Sequence, residues 1–493
     1  MKPEHLPYNQ HVEEFDVLIV GAGISGIGTA CHLQRECPGI RYAILEGRER
    51  MGGTWDLFRY PGIRSDSDMH TMGYSFKPWV EAKAIADGPS ILSYVKDAAA
   101  ENNVEEHIRF SHRVESAAWS SRDARWTVEV QRPEGRRSHF RCNMFLLCSG
   151  YFDYENPYTP EFDGIEDYDG PVIHPQLWPE NLDYHDKRLV VIGSGATAMT
   201  LVPSLAAEAS HVTMLQRSPT YVVSRPAQDA VSNWLRRLLP DRIAYAITRA
   251  KNVRLQRRFY NLTRTAPERV KRKLLRLVKA ELGDDYVDTH FTPRYKPWDE
   301  RLCLLPDGDL FEAIRAGRAS VVTDTIERFN RQGIELRSGE TLEADIIVTA
   351  TGLNLRLLGD AKFSIDGEPV DFAQRYSYKG MMYSGIPNLI NTFGYINASW
   401  TLRADLTAEY ACRVINHMKS IGASSCTPTL REEDADMPAR DWIEDFRPGY
   451  MRRLMHRFPK QGDREPWLNT QNFMRDKKMT RSAPIDDGTL SFG

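Results

Sequence analysis

The chain has 493 residues, of which 41% are apolar and 27% charged, and its formal net charge is −3 at pH 7. This length is more than one hydrophobic core holds, so the sequence predicts two or three domains in a soluble globular protein. The small negative charge argues against a general nucleic-acid-binding protein, because such a protein presents a broad positive field.

The N-terminal stretch and the cysteines indicate a reduced, intracellular protein. Residues 1–14 are polar and mixed in charge, without the apolar centre of a signal peptide. No run of about twenty apolar residues predicts a membrane span. The seven cysteines form no C-x-x-C pair, which argues against a disulfide framework, a zinc site and a dithiol redox centre. We therefore expect a cytoplasmic location and no bound metal.

A glycine-rich loop follows the first predicted strand. Residues 15–20, FDVLIV, are an apolar, β-branched run typical of a buried parallel strand, and a helical pattern follows. Gly21 would make the tight turn, Gly23 would let a pyrophosphate approach the backbone, and Gly26 would let the helix pack on the strand. The start of the helix, where Ser25 lies, would present free N–H groups to the phosphates.

A second predicted strand, residues 41–45, ends in Glu46, twenty residues after Gly26. A carboxylate at this place accepts hydrogen bonds from ribose hydroxyls and repels a 2′-phosphate. Glycine loops alone are a weak signal, but strand, glycines, helix, strand and acid follow in the expected order. The pattern predicts a dinucleotide site that fits FAD or NAD.

The same pattern returns at residue 188. The apolar run RLVVI, residues 188–192, precedes a second glycine loop made of Gly193, Ser194, Gly195, Ala196, Thr197 and Ala198. The strand that follows, residues 211–215, leads to Arg217 and Ser218 instead of an acid. These side chains remove the repulsion of a 2′-phosphate and supply a charge-assisted partner for it, so we predict NADPH and not NADH. The alternative is an ordinary solvent-exposed arginine at the strand end.

Between the two loops lies a string of aromatic, glycine, histidine, tryptophan and proline residues, namely Tyr168, Gly170, His174, Trp178 and Pro179. This string resembles the F-x-G-x-x-x-H-x-x-x-W-P motif of the Baeyer–Villiger flavin monooxygenases, with tyrosine in place of phenylalanine. Residues 52–68, GGTWDLFRYPGIRSDSD, are similar to segments of the same family, closest to its ethionamide-activating branch. By this resemblance, His174 is interpreted as a hydrogen-bonded structural residue that governs cofactor docking, and the alternative is a proton-transfer catalyst.

The resemblance implies an α/β fold with two Rossmann-like dinucleotide-binding domains, for FAD and NADPH, and a helical insertion. The FAD domain would comprise residues 1–158 and 351–493, the NADPH domain 159–224 and 300–350, and the insertion 225–299. By the same resemblance, further residues would contact the cofactors, namely Gly53, Thr54, Trp55, Asp56, Leu57, Arg64, Asp66 and Val114.

The resemblance also implies the chemistry. One oxygen atom from O₂ would enter a ketone, giving an ester or lactone, or would oxidise a sulfur compound, through a C4a-peroxyflavin. Arg301 matches the active-site arginine of the family, and its charge would hold the peroxide and the developing alkoxide. Asp66 would orient this arginine. Many relatives have lysine before the arginine, whereas this chain has Glu300, which weakens the expectation of a lysine contact to the NADPH phosphate.

Three other functions remain open at this point. A flavin-containing N- or S-monooxygenase without ketone activity uses the same two cofactors. A disulfide reductase of the same fold would need a cysteine pair beside the flavin. A non-catalytic membrane-interaction protein would not need two intact nucleotide sites.

The predicted insertion is strongly basic. Residues 236–279 contain fifteen lysines and arginines and two acids, with apolar residues at helical spacing. One hypothesis is a surface that contacts anionic lipid, which would place the protein peripherally on the inner membrane face. The simpler interpretation, a helical insertion whose apolar stripe faces the core and whose basic face is solvated, is favoured.

Overall fold

The computed structural model describes residues 12–300, 302–444 and 448–493. The first part of the chain builds most of a mixed sheet and its covering helices. Its strands are β1 Glu13–Val20, β2 Tyr42–Leu45, β3 Ile108–Arg109, β4 Arg113–Ser120, β5 Arg125–Gln131, β6 Arg137–Leu147 and β7 Phe152–Pro157. Its helices are α1 Ile24–Glu36, α2 Thr54–Leu57, α3 Met69–Met72 and α4 Gly88–Glu101.

The first sheet has a parallel centre. Strand β1 lies between β6 and β2, and β3 extends the row beyond β2, all parallel. Val17, Leu18 and Ile19 of β1 are fully buried, which explains why the strand is apolar on both faces. Strands β4 and β5 continue the sheet in antiparallel order beyond β6. Strand β4, which contains Val114, begins at Arg113 after a turn at residues 110–111.

The middle of the chain forms a second sheet and the basic helices. Its strands are β8 Val172–Ile173, β9 Arg188–Ile192, β10 His211–Gln216, β11 Tyr221–Arg225, β12 Leu302–Pro306, β13 Ala319–Thr323, β14 Ile326–Asn330, β15 Gly333–Leu336, β16 Thr341–Glu343 and β17 Ile346–Thr349. Its helices are α5 Ala196–Leu205, α6 Ala230–Leu238, α7 Asp241–Thr265, α8 Pro267–Leu282, α9 Asp284–His290 and α10 Asp309–Arg315.

The second sheet is parallel throughout, in the order β13-β10-β9-β17-β8. Its central strand β9 feeds the second glycine loop and α5, as β1 feeds the first loop and α1. Val191 of β9 and Leu201 of α5 are fully buried in the same apolar cluster. The repeated strand–loop–helix unit predicted from the sequence is therefore present twice.

The basic helices differ in what they bury. On α8, Val270, Leu274 and Val278 are buried, so its apolar stripe faces the core as the simpler interpretation predicts. Trp234 and Leu238 of α6 instead leave 58% and 62% of their surface exposed. The insertion thus combines one packed helix with a helix whose apolar face is open to solvent.

The last part of the chain returns to the first sheet. Its strands are β18 Leu353–Leu355, β19 Lys362–Ile365, β20 Glu368–Pro369, β21 Ser377–Tyr378, β22 Met382–Tyr383, β23 Leu389–Asn391, β24 Cys426–Pro428, β25 Arg440–Asp441, β26 Lys460–Gln461 and β27 Leu490–Phe492. Its helices are α11 Trp400–Ile421, α12 Gly449–Leu454 and α13 Phe473–Lys477. Strand β23 pairs with β6, and α11 packs along α1. In the described part of the chain, no helix has both the length and the hydropathy of a membrane span.

Candidate cofactor and active site

A cavity of about 450 Å³ opens at the carboxyl ends of β1, β2 and β6. Ligands of parallel α/β sheets bind at this edge, because the loops that follow the strands converge there. Nine of the residues predicted to contact a cofactor line the cavity, namely Gly21, Gly23, Ser25, Glu46, Gly53, Thr54, Trp55, Leu57 and Val114. Residues from distant parts of the sequence therefore meet at one site.

The glycines of the first loop bring backbone against backbone. Gly21 has a φ of +98°, and a Cβ there would lie 2.6 Å from the carbonyl oxygen of Cys148. A Cβ on Gly26 would lie 1.8 Å from the carbonyl oxygen of Gly21. Gly23 is the N-cap of α1, so the first N–H groups of this helix face the cavity without a side chain over them. The loop is shaped for a phosphate at a helix N-terminus.

Glu46 is buried at the end of β2 and holds two backbone N–H groups. Its carboxylate accepts hydrogen bonds from Ala22 N at 2.7 Å and from Arg48 N at 2.8 Å. Burial raises the pKa of this carboxyl, and the two hydrogen bonds act in the opposite direction. The carboxylate is thereby fixed in the cavity wall with lone pairs left for ribose hydroxyls.

Asp56 and Arg48 form an ion pair in the wall of the cavity. Asp56 is 4% exposed and does not line the cavity, and its Oδ2 lies 2.6 Å from Arg48 Nη2. Arg48 does line the cavity, and its Nη1 donates to the carbonyl oxygen of Gly53 at 3.3 Å. Asp56 therefore positions Arg48, which the sequence analysis did not single out.

Three further aromatic residues, Tyr151, Tyr154 and Trp400, line the cavity. Trp400, the first residue of α11, donates from Nε1 to Ser25 Oγ at 2.7 Å and stacks on Tyr151. The hydroxyl of Tyr154 lies 3.3 Å from Thr54 Oγ1. Trp400 stands 375 positions after Ser25, so no local pattern could have joined them.

The segment after α2 leads away from the cavity towards the second sheet. Arg64 forms an ion pair with Asp309 at the start of α10 and does not line the cavity. Gly62 has a φ of +76°, and a Cβ there would lie 1.9 Å from Ser204 Oγ on α5. The side chains of residues 58–64 thus join the two halves of the molecule.

The predicted catalytic pair is described in part. Asp66 is exposed, and burial followed by the Asp66 charge raises the pKa of the neighbouring Tyr60 hydroxyl. A hydrogen bond from the Thr197 side chain opposes this shift, so Tyr60 also touches the second glycine loop. Arg301 lies outside the described residues, and its role stays a prediction.

The second glycine loop repeats the backbone contact of the first. Gly193 has a φ of +134°, and a Cβ there would lie 2.3 Å from the carbonyl oxygen of Ala350. Gly195 is the N-cap of α5, and a Cβ there would meet no described atom within 4 Å. Ala196 follows as the first residue of α5, and Ala198 is fully buried. This loop therefore also leaves a helix N-terminus open.

Arg217 and Ser218 are exposed at the end of the second unit. The preceding Gln216 is buried and donates from Nε2 to His290 O at 2.7 Å, so it points away from the loop. Ser194 Oγ donates to the carbonyl oxygen of Ser218 at 3.2 Å and so joins the second glycine loop to the loop that follows β10. Burial raises the pKa of Glu300, while Arg217 acts to lower it, which places Glu300 close to the predicted phosphate partner.

The string between the loops is held by hydrogen bonds and packing. Tyr168 donates from its hydroxyl to Ala344 O at 2.9 Å, and a Cβ on Gly170 would collide with the Tyr168 ring. Trp178 packs against the apolar cluster of the second sheet, and Pro179 is exposed.

His174 uses both ring nitrogens. Its Nδ1 accepts from Gln176 N at 3.1 Å, so its Nε2 carries the proton and donates to Gly352 O at 3.0 Å. Burial lowers the pKa of His174, while the bond to Gly352 acts to raise it. A neutral histidine with both nitrogens engaged fits a structural role.

Comparison with known proteins assigns the chain to a family. Residues 15–282 match the flavin-binding monooxygenase-like (FMO-like) family. The chain is 54% identical over 482 residues to the FAD-containing monooxygenase EthA of Mycobacterium tuberculosis, covering 97% of this chain and 98% of that protein. It is 48% identical over 491 residues to the putative FAD-containing monooxygenase MymA of the same species, covering 98% of both.

Solved structures share the fold at low sequence identity. An oxidized steroid monooxygenase bound to NADP has a TM-score of 0.71 at 23% identity, covering 84% of this chain and 88% of that one. OTEMO in complex with FAD and NADP has a TM-score of 0.76 at 18% identity, covering 98% and 100%. The chain belongs to the flavin-binding monooxygenase-like family and is a flavin-dependent oxidoreductase. The predicted α/β fold class is confirmed.

Proposed function

We propose that the chain is an FAD- and NADPH-dependent monooxygenase that inserts one oxygen atom from O₂ into ketones, giving esters or lactones, and that also oxidises sulfur compounds. The observation that carries the proposal is the pair of glycine loops, each with an open helix N-terminus, on two sheets of one chain. Relatives named FAD-containing and similar structures bound to FAD and NADP support it.

The first cavity fits FAD. The N-terminus of α1 would hold the pyrophosphate, Glu46 the ribose, and the backbone of Val114 the adenine. Trp55 and Trp400 line the same cavity and would bound the flavin ring. An enclosed site with few, well-placed polar groups is typical of a cofactor that stays bound. We accordingly propose residues 1–158 and 351–493 as the FAD domain.

The second loop fits NADPH. The N-terminus of α5 would hold its pyrophosphate, and Arg217 with Ser218 would pair with the 2′-phosphate. We propose residues 159–224 and 300–350 as this domain and 225–299 as the insertion. His174 would help to fix the relative position of the two domains, because its hydrogen bond to Gly352 joins the linking segment to the chain between β17 and β18.

When bound and reduced, FAD would activate O₂. The protein would contribute a positive charge at the reacting centre and a cavity that positions the substrate. We propose that the guanidinium of Arg301 stabilises the negative charge that develops on the substrate oxygen, since it stays protonated at any working pH. Asp66 would orient it. The alternative function is N- or S-oxygenation without ketone activity, which needs the same cofactors and differs in the product.

Product analysis tests the function. We would measure O₂-dependent NADPH consumption and products with linear, cyclic and aryl ketones and with a thioether. Ester or lactone formation supports the proposal, and sulfoxide without any ester favours the alternative. Consumption of NADPH that no substrate stimulates, with no oxygenated product, contradicts both.

Arg301→Ala tests the assigned role. We expect flavin reduction by NADPH to persist and oxygenated product to fall by at least about 100-fold, the scale of losing one charge-stabilising donor. Arg294→Ala, which removes an exposed arginine of the neighbouring loop, is the matched control. Full ester yield from Arg301→Ala removes this residue from the mechanism.

We also propose that the insertion contacts anionic membrane peripherally. Trp234, Leu238 and Ile243 are each at least half exposed, and they lie beside exposed Arg237 and Arg242. Exposed apolar and basic residues together favour an anionic lipid surface, whereas a second copy of this basic face would repel.

Sedimentation with vesicles checks this contact. Phosphatidylglycerol vesicles should retain the protein at low salt and phosphatidylcholine vesicles should not. The W234S/L238S variant should lose retention, whereas Leu430→Ser, an exposed leucine outside the insertion, should keep it. If the wild-type protein is absent from the phosphatidylglycerol pellet, the proposed membrane contact is contradicted.

A further inference from the structure

Two cavities lie end to end along helix α7, outside the FAD cavity. The outer cavity, of about 550 Å³, lies between α1, α7, α11 and α13. The inner cavity, of about 300 Å³, lies further along α7. Four apolar residues line both, namely Val253, Leu402, Phe473 and Met474. The two cavities are therefore neighbours, and only side chains divide them.

One face of α7 forms a wall common to both cavities. Ala246, Ala250 and Val253 line the outer cavity, and Arg257, Tyr260 and Arg264 line the inner one. These positions recur every three or four residues, so they share one helix face. The lined part of α7 runs from residue 242 to 264. At about 1.5 Å per residue this is roughly 30 Å, long enough for an extended chain.

The inner cavity reaches the segment next to the proposed flavin. Ile396, Asn397 and Ala398 line it, a few residues before Trp400. Trp400 lines the FAD cavity and donates to Ser25. A molecule lying along α7 would thus have one end near the reacting centre and the other in the outer cavity.

The outer cavity is strongly positive although the whole chain is slightly negative. Its lining contains one acid, Asp405, and six cations, namely Arg35, Arg242, Arg249, Arg254, Lys477 and Arg481. Such a concentration of one sign attracts an anion.

Some of these cations already have partners. Asp405 lies 3.2 Å from Arg249 and 3.3 Å from His32, which together lower the pKa of this carboxyl against the effect of burial. Arg481 pairs with Glu409. In the described part of the chain, Arg242, Arg254 and Lys477 have no acidic partner.

The opposite wall of the outer cavity is apolar. Phe76, Leu402 and Phe473 line it, facing the small side chains of Ala246 and Ala250. A site whose lining combines unpaired cations with an apolar trough fits a ligand with an anionic group and a hydrocarbon body. A small hydrophilic anion would leave the trough empty, and a neutral hydrocarbon would leave the cations unused.

We propose that the joined cavities bind a long-chain anionic amphiphile, with its head group in the outer cavity, where the unpaired cations Arg242, Arg254 and Lys477 attract it, and its chain along α7 towards residues 396–398. The substrates of the enzyme are then the members of this class that carry a ketone or thioether far from the head group. This second statement rests on the proposed function. The binding statement does not, because it concerns residues outside the FAD cavity.

Calorimetric titration of the FAD-loaded enzyme tests the binding. Dodecanoate and dodecyl phosphate separate a carboxylate head from a phosphate head, and dodecanol and dodecyltrimethylammonium serve as neutral and cationic comparisons. We expect at least one of the anions to bind at least about tenfold more tightly than dodecanol, and the cation to bind most weakly. Equal affinity for both anions and dodecanol overturns the proposal.

Two variants test the location. R242E/R254E reverses two exposed cations of the lining and should remove the preference for the anion, whereas Arg276→Glu makes the same change on α8 outside both cavities and should keep it. Ala250→Trp fills the outer cavity and should weaken anion binding at least about tenfold without lowering the unfolding temperature by more than a few degrees. Unchanged anion affinity in R242E/R254E overturns the location.

The kinetic test separates the two proposals. A long-chain methyl ketone is compared with the same ketone carrying a terminal carboxylate. We expect the ratio of kcat/KM for the keto acid to that for the neutral ketone to exceed about ten and to fall at least tenfold in R242E/R254E. A ratio near one in the wild-type enzyme removes the substrate class. If no ketone is oxidised while the anion preference persists in calorimetry, the proposed function fails and the binding site stands.

Discussion

The two glycine loops have nearly the same backbone but different surroundings. Gly21 and Gly193 both have positive φ, and a Cβ on either would strike a carbonyl oxygen of the neighbouring parallel strand region, that of Cys148 or Ala350. At the end of the next strand, the first unit has the buried carboxylate of Glu46, whereas the second has the exposed Arg217. On the proposed function, the loop geometry would bind a pyrophosphate in each unit, and the residue at the strand end would select between the two nucleotides.

The two sites also differ in enclosure. The first loop opens into a cavity that residues of α11 and β6 close from the other side. At the second loop, Gly195, Arg217 and Ser218 are exposed. An enclosed site suits a cofactor that remains through many cycles, and an open one suits a cofactor that enters and leaves each cycle. On the proposed function, the same local loop would therefore bind a retained cofactor in one unit and an exchanging cofactor in the other, and the surrounding tertiary structure would determine which.

The largest effect should come from adding a methyl group to each loop. Gly21→Ala combines a φ of +98° with a contact of 2.6 Å, and we expect FAD binding to weaken at least about 100-fold. Gly193→Ala should keep the flavin but slow its reduction by NADPH to a similar degree. Flavin absorbance per protein and stopped-flow reduction measure the two effects.

Gly39→Ala controls for strain alone, because Gly39 has a φ of +80° and open space around its Cβ position. It should lower stability slightly and leave both cofactors bound. If Gly193→Ala loses its flavin, or Gly21→Ala keeps it, the assignment of one cofactor to each loop is wrong.

The second effect concerns cofactor choice. Arg217→Glu should reverse the preference for NADPH over NADH, because it replaces a charge-assisted partner with a repelling carboxylate. We expect the ratio of the two kcat/KM values to fall about 10-fold to 100-fold. Arg237→Glu, an exposed arginine of α6, should leave the ratio as it is. An unaltered ratio in Arg217→Glu would mean that another residue contacts the phosphate.

A smaller effect is expected at Glu300, which acts on the same arginine. Glu300 interacts with the positive charge of Arg217, which acts to lower the pKa of its carboxyl against the larger effect of burial. It therefore competes with a 2′-phosphate, and Glu300→Gln should lower the KM for NADPH by about threefold to tenfold. Asp299→Asn, next in the chain, is the matched control. A rise in KM for Glu300→Gln would show that the acid supports the site.

The smallest effect is the pH dependence that His174 gives to the joint between the two halves. Burial lowers the pKa of His174 below its ordinary value of about 6.5, so the unfolded chain takes up its proton first on acidification. The stabilisation is complete above about pH 6.5 and is lost as the pH falls, at a rate of at most about 1.4 kcal/mol per pH unit.

His174→Gln should flatten this part of the profile of unfolding free energy against pH. His185→Gln, at an exposed position of the same linking segment, should not. A wild-type profile that rises on acidification between about pH 7 and 5 would contradict the neutral, doubly bonded histidine.

The sequence predicts the two glycine loops well because the residues that form each loop are close together in the sequence. Strand, glycines, helix and strand end lie within a few dozen residues, and Gly21, Glu46 and Gly193 lie where the pattern predicts. Val114 also lines the cavity, as the resemblance implies.

The remaining features depend on contacts between distant segments. Trp400 reaches Ser25 across the fold, and Asp56 acts through Arg48 instead of lining the cavity. Arg64, expected beside a cofactor, pairs with Asp309. The outer cavity along α7 is lined by residues of four separate helices, so no local sequence pattern predicts it. Basic composition predicted a charged surface, but not that part of it borders a trough.

The contact between Gly62 and Ser204 has a mechanical consequence. It joins backbone to helix α5 with no side chain on the glycine to absorb displacement. One end of α5 is the open N-terminus of the second loop, and the chain before Gly62 leads back to Trp55 in the wall of the first cavity. We therefore expect a small displacement of α5 on nucleotide binding to be passed through Gly62 to Trp55, which we propose bounds the flavin ring.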